Sequence, residues 1–540
     1  MLMKLESIQV PIKNRVLADY WSPKTAIHEY FEYEYNDQSF EKRVRYLEQH
    51  AKDQKEIAAI IHQFMEPLGI SKKSNEHLQQ LEQGAVTVVG GQQAGILTGP
   101  LYSVHKAISV IKLAKEQSLK LQRPVVPVFW IAGEDHDLEE INHTYTVQGV
   151  EVKKRVYGER SRRKTMASAT SINKETMTQL MNTIAKDFGE TEFTEALMKQ
   201  LIDTLNKSET FTDFFAQLMN QLFKDEGLLL IDATNYKLRQ YESGNFTHII
   251  QHNEEIARVV TEKEEQLERA GYGKSILATN EAANLFFVED GERHLLERKN
   301  QSFVNLAANI KLSREQMMEI ATNQPERLSN NVVTRPLMQE MVLPVLAFVG
   351  GPGELAYWAT LKDAFSVLGL QMPIFAPRLH ITIVTRHVEQ LLREQQLTVA
   401  DVWAGKALQL KEQFIAEVQD QEAKSQILTM QQELFDKYNQ LASYLKEQHV
   451  SLDKILVKNK ENHQKQFDYL QQKIEQSVLH KHETTIRKFM TLQNELCPNE
   501  GYQERSYNPY QYINEFGPML VTEMLKHNYS IGNHHYLLYI

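Results

Sequence analysis

Residues 85–111 read AVTVVGGQQAGILTGPLYSVHKAISVI, a short β-branched run followed by a glycine-rich turn and an apolar pattern. The run 85–89 is typical of a buried strand. Apolar residues then recur three or four positions apart, which predicts a helix, at Leu101, Val104, Ile108 and Ile111. Glycines in the turn let the backbone approach a ligand, and N–H groups at a helix start opening with Pro100 can bind an anion. The unit therefore predicts a phosphate or carboxylate site; the plain alternative is a tight αβ connection.

Other parts of the chain continue this strand and helix alternation. Apolar runs predict further strands of the same sheet at 125–132, 227–232, 345–349 and 373–378, and a separate β piece at 284–288. Strands joined through helices form parallel sheets with right-handed crossovers. Ligands of such sheets bind beyond the carboxyl ends of the strands, where the predicted turns gather.

Composition limits the class of protein. With 540 residues, 42% of them hydrophobic and 24% charged, the chain is expected to fold into two to four soluble domains. No apolar run approaches the ~20 residues that cross a bilayer, and residues 1–8 lack a signal-peptide core, so we expect a cytoplasmic protein without a membrane partner. The net charge of −10 argues against a nucleic-acid partner, and the basic stretch 160–164 is interpreted as a solvated loop. The single cysteine, Cys497, excludes an internal disulfide.

The domain organisation follows from changes in composition. The predicted order is a Rossmann-like core over 1–149, a helical insertion over 150–225, a core strand within 226–240, a second insertion over 241–325, the rest of the core over 326–383, an antiparallel coiled coil over 384–497, and a C-terminal segment over 498–540 that packs on the core.

The coiled-coil prediction depends on a stretch that has no glycine beyond Gly405 and no proline up to Cys497. Apolar residues there recur at coiled-coil spacings, with a polar break near 450–462, at Ile427, Leu434, Tyr438, Leu441, Leu445, Phe467, Leu470, Ile474 and Val478. Two long helices forming a hairpin arm, which could dimerise the protein, explain this pattern. A packed helical domain is the alternative.

Several polar residues stand where these elements meet. On the first helix, His105 shares a stripe with Tyr102 and Ser109 and can lean back toward an anion at the turn, although it could equally be a packed histidine. After the second strand, His136, Glu140 and His143 would share one helical face and could bind a divalent metal. The alternatives are a capping box between Asp137 and Glu140 and, preferred here, a polar substrate-binding loop.

Two later motifs contain or lead to a positively charged residue. Arg335 precedes Pro336, which can open a helix, so it suggests a second anion contact; an ion pair with Glu340 is the alternative. Residues 351–356 fit the G-x-G-x-x-A dinucleotide pattern, but the following strand ends in Arg378 rather than in an acidic residue, so the pattern is a weak indication of NAD. Residues 503–509 precede another proline-started helix and could face a ligand or simply cap that helix.

Taken together, these motifs resemble those of the family of cysteine-adding enzymes of bacillithiol biosynthesis. The resemblance rests on GGQQAGILTGPLYSVHKA (90–107), VPVFWIAGEDHDLEEINH (126–143), NNVVTRPLMQE (330–340), FVGGPGELAYW (348–358) and QERSYNP (503–509). It implies an α/β fold with a Rossmann-like parallel core, connecting-peptide insertions, a coiled-coil arm and a homodimer. It also implies addition of L-cysteine to the amine of glucosaminyl malate, the last step to bacillithiol.

The resemblance also suggests roles for residues. Gly95, Thr98, Gly99 and His105 would contact phosphate or the activated carboxyl group, and Glu134, Asp135 or His136 would deprotonate the attacking amine. Arg335 and Arg378 would hold the malate carboxylates. The remaining candidates for substrate binding are Gly91, Gln92, Gln93, Tyr102, Trp130, Asn142, His143, Asn331, Gly351 and Glu354, and those for nucleotide binding are Gln503, Arg505 and Asn508.

Amide formation needs an activated carboxylate, so ATP or another nucleotide is expected, although no KMSKS-like loop is found; no resident metal is expected. Two competing hypotheses remain at this point. One is a metal-dependent hydrolase that uses His136, Glu140 and His143, and the other is a non-catalytic assembly protein whose coiled coil is the working part.

Overall fold

The computed structural model describes residues 3–12, 14–158 and 164–540, and these form two units. The first unit comprises Met1–Gln148, Val152–Ile383 and Gln503–Ile540, and the second comprises Gly149–Glu151 and Val384–Tyr502. Residues 160–163 of the basic stretch noted above lie outside the described residues. Within the described part of the chain, no helix is both long enough and apolar enough to cross a bilayer.

The strands belong to four sheets. They are β1 Lys4–Ile8, β2 Val86–Gln92, β3 Val125–Ile131, β4 His143–Gln148, β5 Glu151–Val156, β6 Leu229–Asp232, β7 Ala282–Glu289, β8 Glu292–Lys299, β9 Ser302–Asn305, β10 Ile310–Ser313, β11 Leu328–Asn330, β12 Val345–Gly350, β13 Ile374–Pro377, β14 Ile381–Val384 and β15 His535–Tyr539.

The helices alternate with these strands and then dominate the second unit. They are α1 Arg15–Trp21, α2 Asp37–Gln49, α3 Lys55–Met65, α4 Lys72–Glu82, α5 Leu101–Lys120, α6 Leu138–Ile141, α7 Lys174–Phe188, α8 Thr194–Asn206, α9 Phe211–Phe223, α10 Tyr236–Tyr241, α11 Ser243–Gln251, α12 Asn253–Arg269, α13 Arg314–Asn323, α14 Thr334–Val342, α15 Pro352–Trp358, α16 Lys362–Val367, α17 Arg386–Glu394, α18 Val399–Trp403, α19 Lys406–Val418, α20 Gln421–Glu447, α21 Asp453–Lys481, α22 Glu483–Leu496, α23 Pro509–Phe516 and α24 Leu520–Lys526.

The central sheet of the first unit confirms the α/β prediction. Its five strands are parallel and stand in the order β13-β12-β2-β3-β6. In chain order this is 5-4-1-2-3, the doubly wound arrangement, whose direction reverses between β2 and β12. The strands are almost wholly buried because helices cover both faces, which is why they appear in the sequence as continuous apolar runs. A ligand is therefore expected at the carboxyl edge near β2 and β12.

The two insertions differ in structure. Helices α7, α8 and α9 follow the β4–β5 hairpin, whereas the second insertion contains an antiparallel sheet in the order β10-β9-β8-β7-β11. The β piece predicted at 284–288 is confirmed as part of β7. Its partners were not predicted, because β8 lacks a regular apolar alternation: Arg293 is buried and Leu295 is exposed.

The C-terminal segment closes the first unit. Strand β15 pairs antiparallel with β1, so the two ends of the chain share one small sheet whose third strand is β14. Between β14 and this strand lie the Gln503–Arg505 turn and helix α23, which begins at Pro509 as the sequence predicts. The C-terminal segment thus belongs to the same unit of the fold as the glycine-rich turn.

The second unit is helical, and the long pair α20 and α21 forms the predicted hairpin. The predicted break at 450–462 is wrong in extent, because α21 already begins at Asp453. Two residues assigned to the apolar seam are also wrong: Leu441 and Leu470 are 44% and 42% exposed. Ala442 and Gln471, one position later in each helix, are instead partly buried, so the steps at these points run four then three and not three then four.

Candidate active site

A cavity of about 340 Å³ lies at the carboxyl edge of the central sheet, beside the reversal between β2 and β12. Residues that follow or end β2, β3, β12 and β13 line it together with helices α5, α14 and α15. The lining residues are Gly91, Gln92, Gln93, Tyr102, Lys106, Trp130, Ala132, Asp135, Val332, Arg335, Gly351, Pro352, Gly353, Glu354, Tyr357, Arg378 and Arg505.

Many predicted site residues meet at this cavity, although they come from distant parts of the sequence. Of the predicted substrate-binding set, the structure places there Gly91, Gln92, Gln93, Tyr102, Trp130, Arg335, Gly351, Glu354 and Arg378. Asp135 is the predicted catalytic residue among the lining residues, and Arg505 is the predicted nucleotide-binding residue among them. The remaining candidates lie elsewhere.

Four cationic side chains line the cavity: Lys106, Arg335, Arg378 and Arg505. The Nη1 atom of Arg335 donates to Oε1 of Gln339 at 3.1 Å, and its Nη2 donates to the hydroxyl of Tyr357. Those acceptors are neutral, so the charge of Arg335 is not compensated by a carboxylate there. The alternative partner, Glu340, is instead bonded to Arg43 at 2.5 Å. The helix also begins at Thr334, two residues before the predicted start at Pro336.

Lys106 is a site residue that the sequence interpretation missed. Its side chain is 2% exposed, and Nζ donates to the Gly91 carbonyl at 2.7 Å, to Oε1 of Gln92 at 3.0 Å and to Oε2 of Glu354 at 2.6 Å. Burial lowers the pKa of Lys106, against the attraction of Glu354. The lysine therefore ties the end of β2 to the start of α15. Its spacing of four from Tyr102 on one helix face was the available signal.

Arg378 is held by a buried carboxylate from the C-terminal segment. Its Nη1 and Nη2 donate to the two carboxylate oxygens of Glu504 at 2.8 and 2.7 Å, a bidentate pair with side chains 4% and 1% exposed. The ring of Tyr102 lies under the same guanidinium, 5.6 Å from its carbon to the ring centroid. Glu504 therefore fixes the direction in which Arg378 faces the cavity.

Two histidines also form hydrogen bonds with Glu504. Nδ1 of His105 lies 2.9 Å from Oε2, and Nδ1 of His380 lies 2.8 Å from Oε1. Burial opposes ionisation of Glu504, but Arg378, His380 and His105 outweigh it and hold its pKa well below the ordinary value. For His105, burial lowers the pKa, so a neutral ring donating through Nδ1 fits this geometry.

His105 thus lies behind the cavity and not at the turn where we expected an anion. It is fully buried, and the helix start is also closed: the Leu101 N–H donates to the Tyr507 carbonyl at 2.8 Å. Thr98 and Gly99 are within the turn, where Nδ2 of Asn508 donates to the Leu97 and Gly99 carbonyls. The start of α5 is therefore not open to an anion, because the C-terminal segment supplies carbonyl and amide partners there, whereas Gly91, Gln92 and Gln93 of the same glycine-rich stretch line the cavity.

Asp135 follows β3 and lines the cavity. Its Oδ2 accepts a hydrogen bond from Nε2 of Gln93 at 2.7 Å, and its Oδ1 accepts from the Asp137 N–H at 3.1 Å. Both donors are neutral amides. Among the lining residues the only other carboxylate is Glu354, which is bonded to Lys106.

Glu134 is not among the lining residues and belongs to a buried charge cluster. Its Oε2 accepts from Nη2 of Arg239 at 2.5 Å and from Oγ of Ser329 at 2.7 Å, and it is 4% exposed. Burial raises its pKa, but Arg239 and Arg293 outweigh burial, so the net pKa of Glu134 is lowered. Arg239 also binds Glu242 at 2.8 Å. The structure therefore places Glu134 in a cross-link between β3, α10 and β11, away from the lining residues.

The same cluster gives a prediction for pH dependence. Burial raises the pKa of Glu242 from 4.5 to about 7, against the attraction of Arg239. Between about pH 5 and 7 this carboxyl group is protonated in the folded protein but ionised in the unfolded chain. The free energy of unfolding therefore falls as pH rises through this range. Relative to Glu242→Gln, which cannot titrate, we expect the wild-type free energy of unfolding to fall by about 1 to 3 kcal/mol between pH 5 and 8.

Chemical denaturation at several pH values measures this difference, since all other titrations are common to both proteins. The exposed Glu262→Gln variant, which loses only a surface pair with Arg258, serves as the control. Parallel pH curves for wild type and Glu242→Gln would contradict the assignment.

The metal-binding face considered as one hypothesis for His136, Glu140 and His143 is not formed. Helix α6 spans only Leu138–Ile141, so neither histidine lies on it, and the Asp137 side chain does not cap it. Nδ1 of His136 accepts from Nη1 of Arg293 at 3.3 Å, whereas Nδ1 of His143 bonds the Glu139 carbonyl at 2.8 Å. Over residues 3–12, 14–158 and 164–540, no group of three His, Cys, Asp or Glu side chains is arranged to hold a metal ion.

Four other predicted site residues do not line the cavity and instead make hydrogen bonds with backbone groups. The side-chain oxygen of Asn331 accepts from the Val333 and Thr334 N–H groups just before and at the start of α14. The Asn142 carbonyl accepts from the Tyr157 N–H, at the end of α6. Gln503 bonds both the N–H and the carbonyl of Ile383, and Asn508 holds the turn described above.

Comparison with known proteins gives matches over the whole chain. A family model described as "Bacillithiol biosynthesis BshC, N-terminal Rossmann-like domain" matches residues 3–379, and one described as "Bacillithiol biosynthesis BshC, C-terminal coiled-coil domain" matches residues 381–540. The second match includes the C-terminal segment that carries Glu504 and Arg505.

Similar proteins from other bacteria bear the name "putative cysteine ligase BshC". That of Lysinibacillus sphaericus is 80% identical over 538 residues, covering 100% of both chains. Those of a Geobacillus species and of Bacillus cereus are 36% and 34% identical, covering at least 99% of both chains.

Proposed function

Because the chain belongs to the BshC family of bacillithiol biosynthesis, we propose that it is a ligase that joins L-cysteine to the amine of glucosaminyl malate. The product of this reaction is an amide. The family match and the name of the similar proteins support a cysteine ligase in this biosynthesis. The acceptor and the position as last step are part of the proposal.

The observation that carries the proposal is the cationic cavity at the reversal point of the sheet. Malate brings two carboxylates, and the cavity offers Arg335, whose hydrogen-bond partners are neutral, and Arg378, oriented by Glu504. Arginine suits carboxylates because its planar guanidinium can bind both oxygens. Such local cations are needed because the chain as a whole carries a net charge of −10.

Asp135 is the group we assign to the proton of the attacking amine. An amine attacks only when neutral, so a base is needed within hydrogen-bond reach. Asp135 lines the cavity and is bonded by neutral amides, whereas Glu134 is bonded to Arg239 and Glu354 to Lys106. Glu134 and Glu354 are thus each committed to a cation, which leaves Asp135 as the lining carboxylate placed to accept a proton. His136, which lies outside the lining, is a less direct candidate.

The carboxylate of cysteine must be activated before an amide can form, and ATP or another nucleotide is the proposed co-substrate. Its phosphates would find a cation at Arg505, which lines the cavity and is not assigned to malate. Gln503 and Asn508, the other predicted nucleotide residues, are already bonded to backbone groups. Homodimer formation and a cytoplasmic location also remain predictions.

Titration calorimetry tests the proposed recognition directly. We expect glucosaminyl malate to bind the wild-type protein, and its malate dimethyl ester to bind at least tenfold more weakly because it lacks both charges. Arg335→Gln should weaken the diacid about tenfold, by removing one cation, and leave the ester almost unchanged. Equal affinity of the wild type for diacid and ester would contradict carboxylate recognition.

The competing hypotheses receive less support from the geometry. The hydrolase hypothesis required a metal bound by His136, Glu140 and His143, whose side chains bond to other groups. The assembly hypothesis gives no reason for a buried carboxylate that aims an arginine into a cavity. A variant lacking residues 384–497 that folds yet forms no product would favour an essential coiled coil.

A further inference from the structure

The cavity contains two carboxylates among four cations, and the proposed reaction brings two amines to it. One amine attacks, and the other is the α-amino group of cysteine, which must be held without reacting. At neutral pH that second group is an ammonium ion, which the cationic side chains repel. A carboxylate beside it would offset this repulsion.

Glu354 has the geometry for such a contact. Its Oε2 accepts from Nζ of Lys106 at 2.6 Å and from the Gly351 N–H at 2.8 Å, so the side chain has a fixed position. Both contacts use Oε2, and none uses Oε1. The side chain is 24% exposed and lines the cavity.

The backbone beside Glu354 is open to a ligand. A Cβ atom added at Gly353 would meet no atom within 4 Å, and one added at Gly351 would meet nothing closer than 3.6 Å. A small substrate can therefore approach the start of α15 closely. The glycines at 351 and 353, first noted as a weak dinucleotide pattern, serve this approach instead.

We propose that Glu354 binds the α-ammonium group of the amino-acid substrate through Oε1 and thereby selects an α-amino acid over a simple thiol acid. The inference rests on the proposed function. The two carboxylates of the cavity thus have different roles, which follow from their partners. Glu354, fixed by a lysine, binds the α-ammonium group of the substrate, whereas Asp135, bonded by neutral amides, takes the proton of the attacking amine. Glu354 is thus a specificity-determining residue.

The test compares two ligands, L-cysteine and 3-mercaptopropionate, by calorimetry under reducing conditions, with and without glucosaminyl malate. The second ligand has the same thiol and carboxylate but lacks the ammonium group. We expect the wild type to bind L-cysteine at least tenfold more tightly. In Glu354→Gln, L-cysteine should bind at least tenfold more weakly, with 3-mercaptopropionate within about twofold of its wild-type affinity.

Glu226→Gln is the matched control, since Glu226 is 23% exposed and also pairs with a lysine of α5, Lys115, outside the cavity lining. It should keep the wild-type preference. Melting temperatures verify that both variants are folded.

The outcomes separate the two proposals. A preference for L-cysteine that persists in Glu354→Gln, or an equal weakening of both ligands, would overturn the role of Glu354 alone. Equal binding of the two ligands by the wild type would overturn it as well, without any variant. Failure of the wild type to bind L-cysteine in either condition would instead contradict the proposed function, and this inference with it.

Discussion

Replacing Glu504 by alanine is expected to lower the free energy of unfolding by about 3 to 5 kcal/mol and to abolish activity. Removal of one partner of a buried ion pair leaves the other charge buried without compensation, which costs that much in other proteins. Here Arg378, 4% exposed, would lose both of its carboxylate bonds, and His105 and His380 would lose one each. Chemical denaturation measures the loss of stability.

Glu504→Gln separates positioning from folding. The amide keeps the shape and accepts one bond from Arg378, so we expect a folded protein with a smaller loss of stability. Because Arg378 is no longer held at both nitrogens, KM for glucosaminyl malate should rise at least tenfold, while KM for cysteine changes little. Glu389→Gln, which breaks a surface pair with Arg393, should stay within about 0.5 kcal/mol of wild type. Unchanged KM in a folded Glu504→Gln variant would remove Glu504 from the positioning of Arg378.

Asp135→Asn is the second substitution with a large expected effect, a fall in kcat of about 10²- to 10⁴-fold. That range is typical for loss of a general base. Asparagine keeps the size and the hydrogen bond to the Asp137 N–H, so substrate affinities should change by only a few fold. Steady-state kinetics over pH 6 to 9 give the comparison, with the fall in rate relieved at high pH as the amine loses its own proton.

Asp137→Asn provides the control from the same loop, since the Asp137 side chain is exposed and does not line the cavity. It should retain kcat within about twofold. An equal loss of kcat in both variants would contradict a specific role for Asp135 as base, and so would an unchanged kcat in both.

Much of the core was predictable because its strands are local patterns. Residues 86–89 and 345–349 are buried on both faces of a parallel sheet, so each is a short apolar run with glycines where the backbone must turn. The place of Arg378 at the carboxyl edge was predictable because it stands at the end of a buried strand, whereas its role as a carboxylate ligand came from the resemblance. The metal hypothesis failed because helix length was not predictable: α6 ends after four residues.

Other parts of the site depend on distant contacts that no local pattern records. Glu504 lies 399 residues from His105 and 126 from Arg378 in sequence, so its role became visible only in three dimensions. Lys106 stands on a helix otherwise rich in apolar residues, where a lysine is usually solvated. The helix start at 100–101 predicted an anion, yet Tyr507 from the end of the chain fills that position.

The proposal that this protein forms the amide between L-cysteine and glucosaminyl malate is tested most directly by mass spectrometry of the reaction products. Purified protein is incubated with both substrates, in separate reactions with ATP, with each other nucleoside triphosphate and with no nucleotide. We predict one product whose mass equals the sum of the substrates less one water, formed by wild type and strongly reduced with Asp135→Asn. Absence of this product under every condition, from folded protein that binds both substrates, would contradict the account.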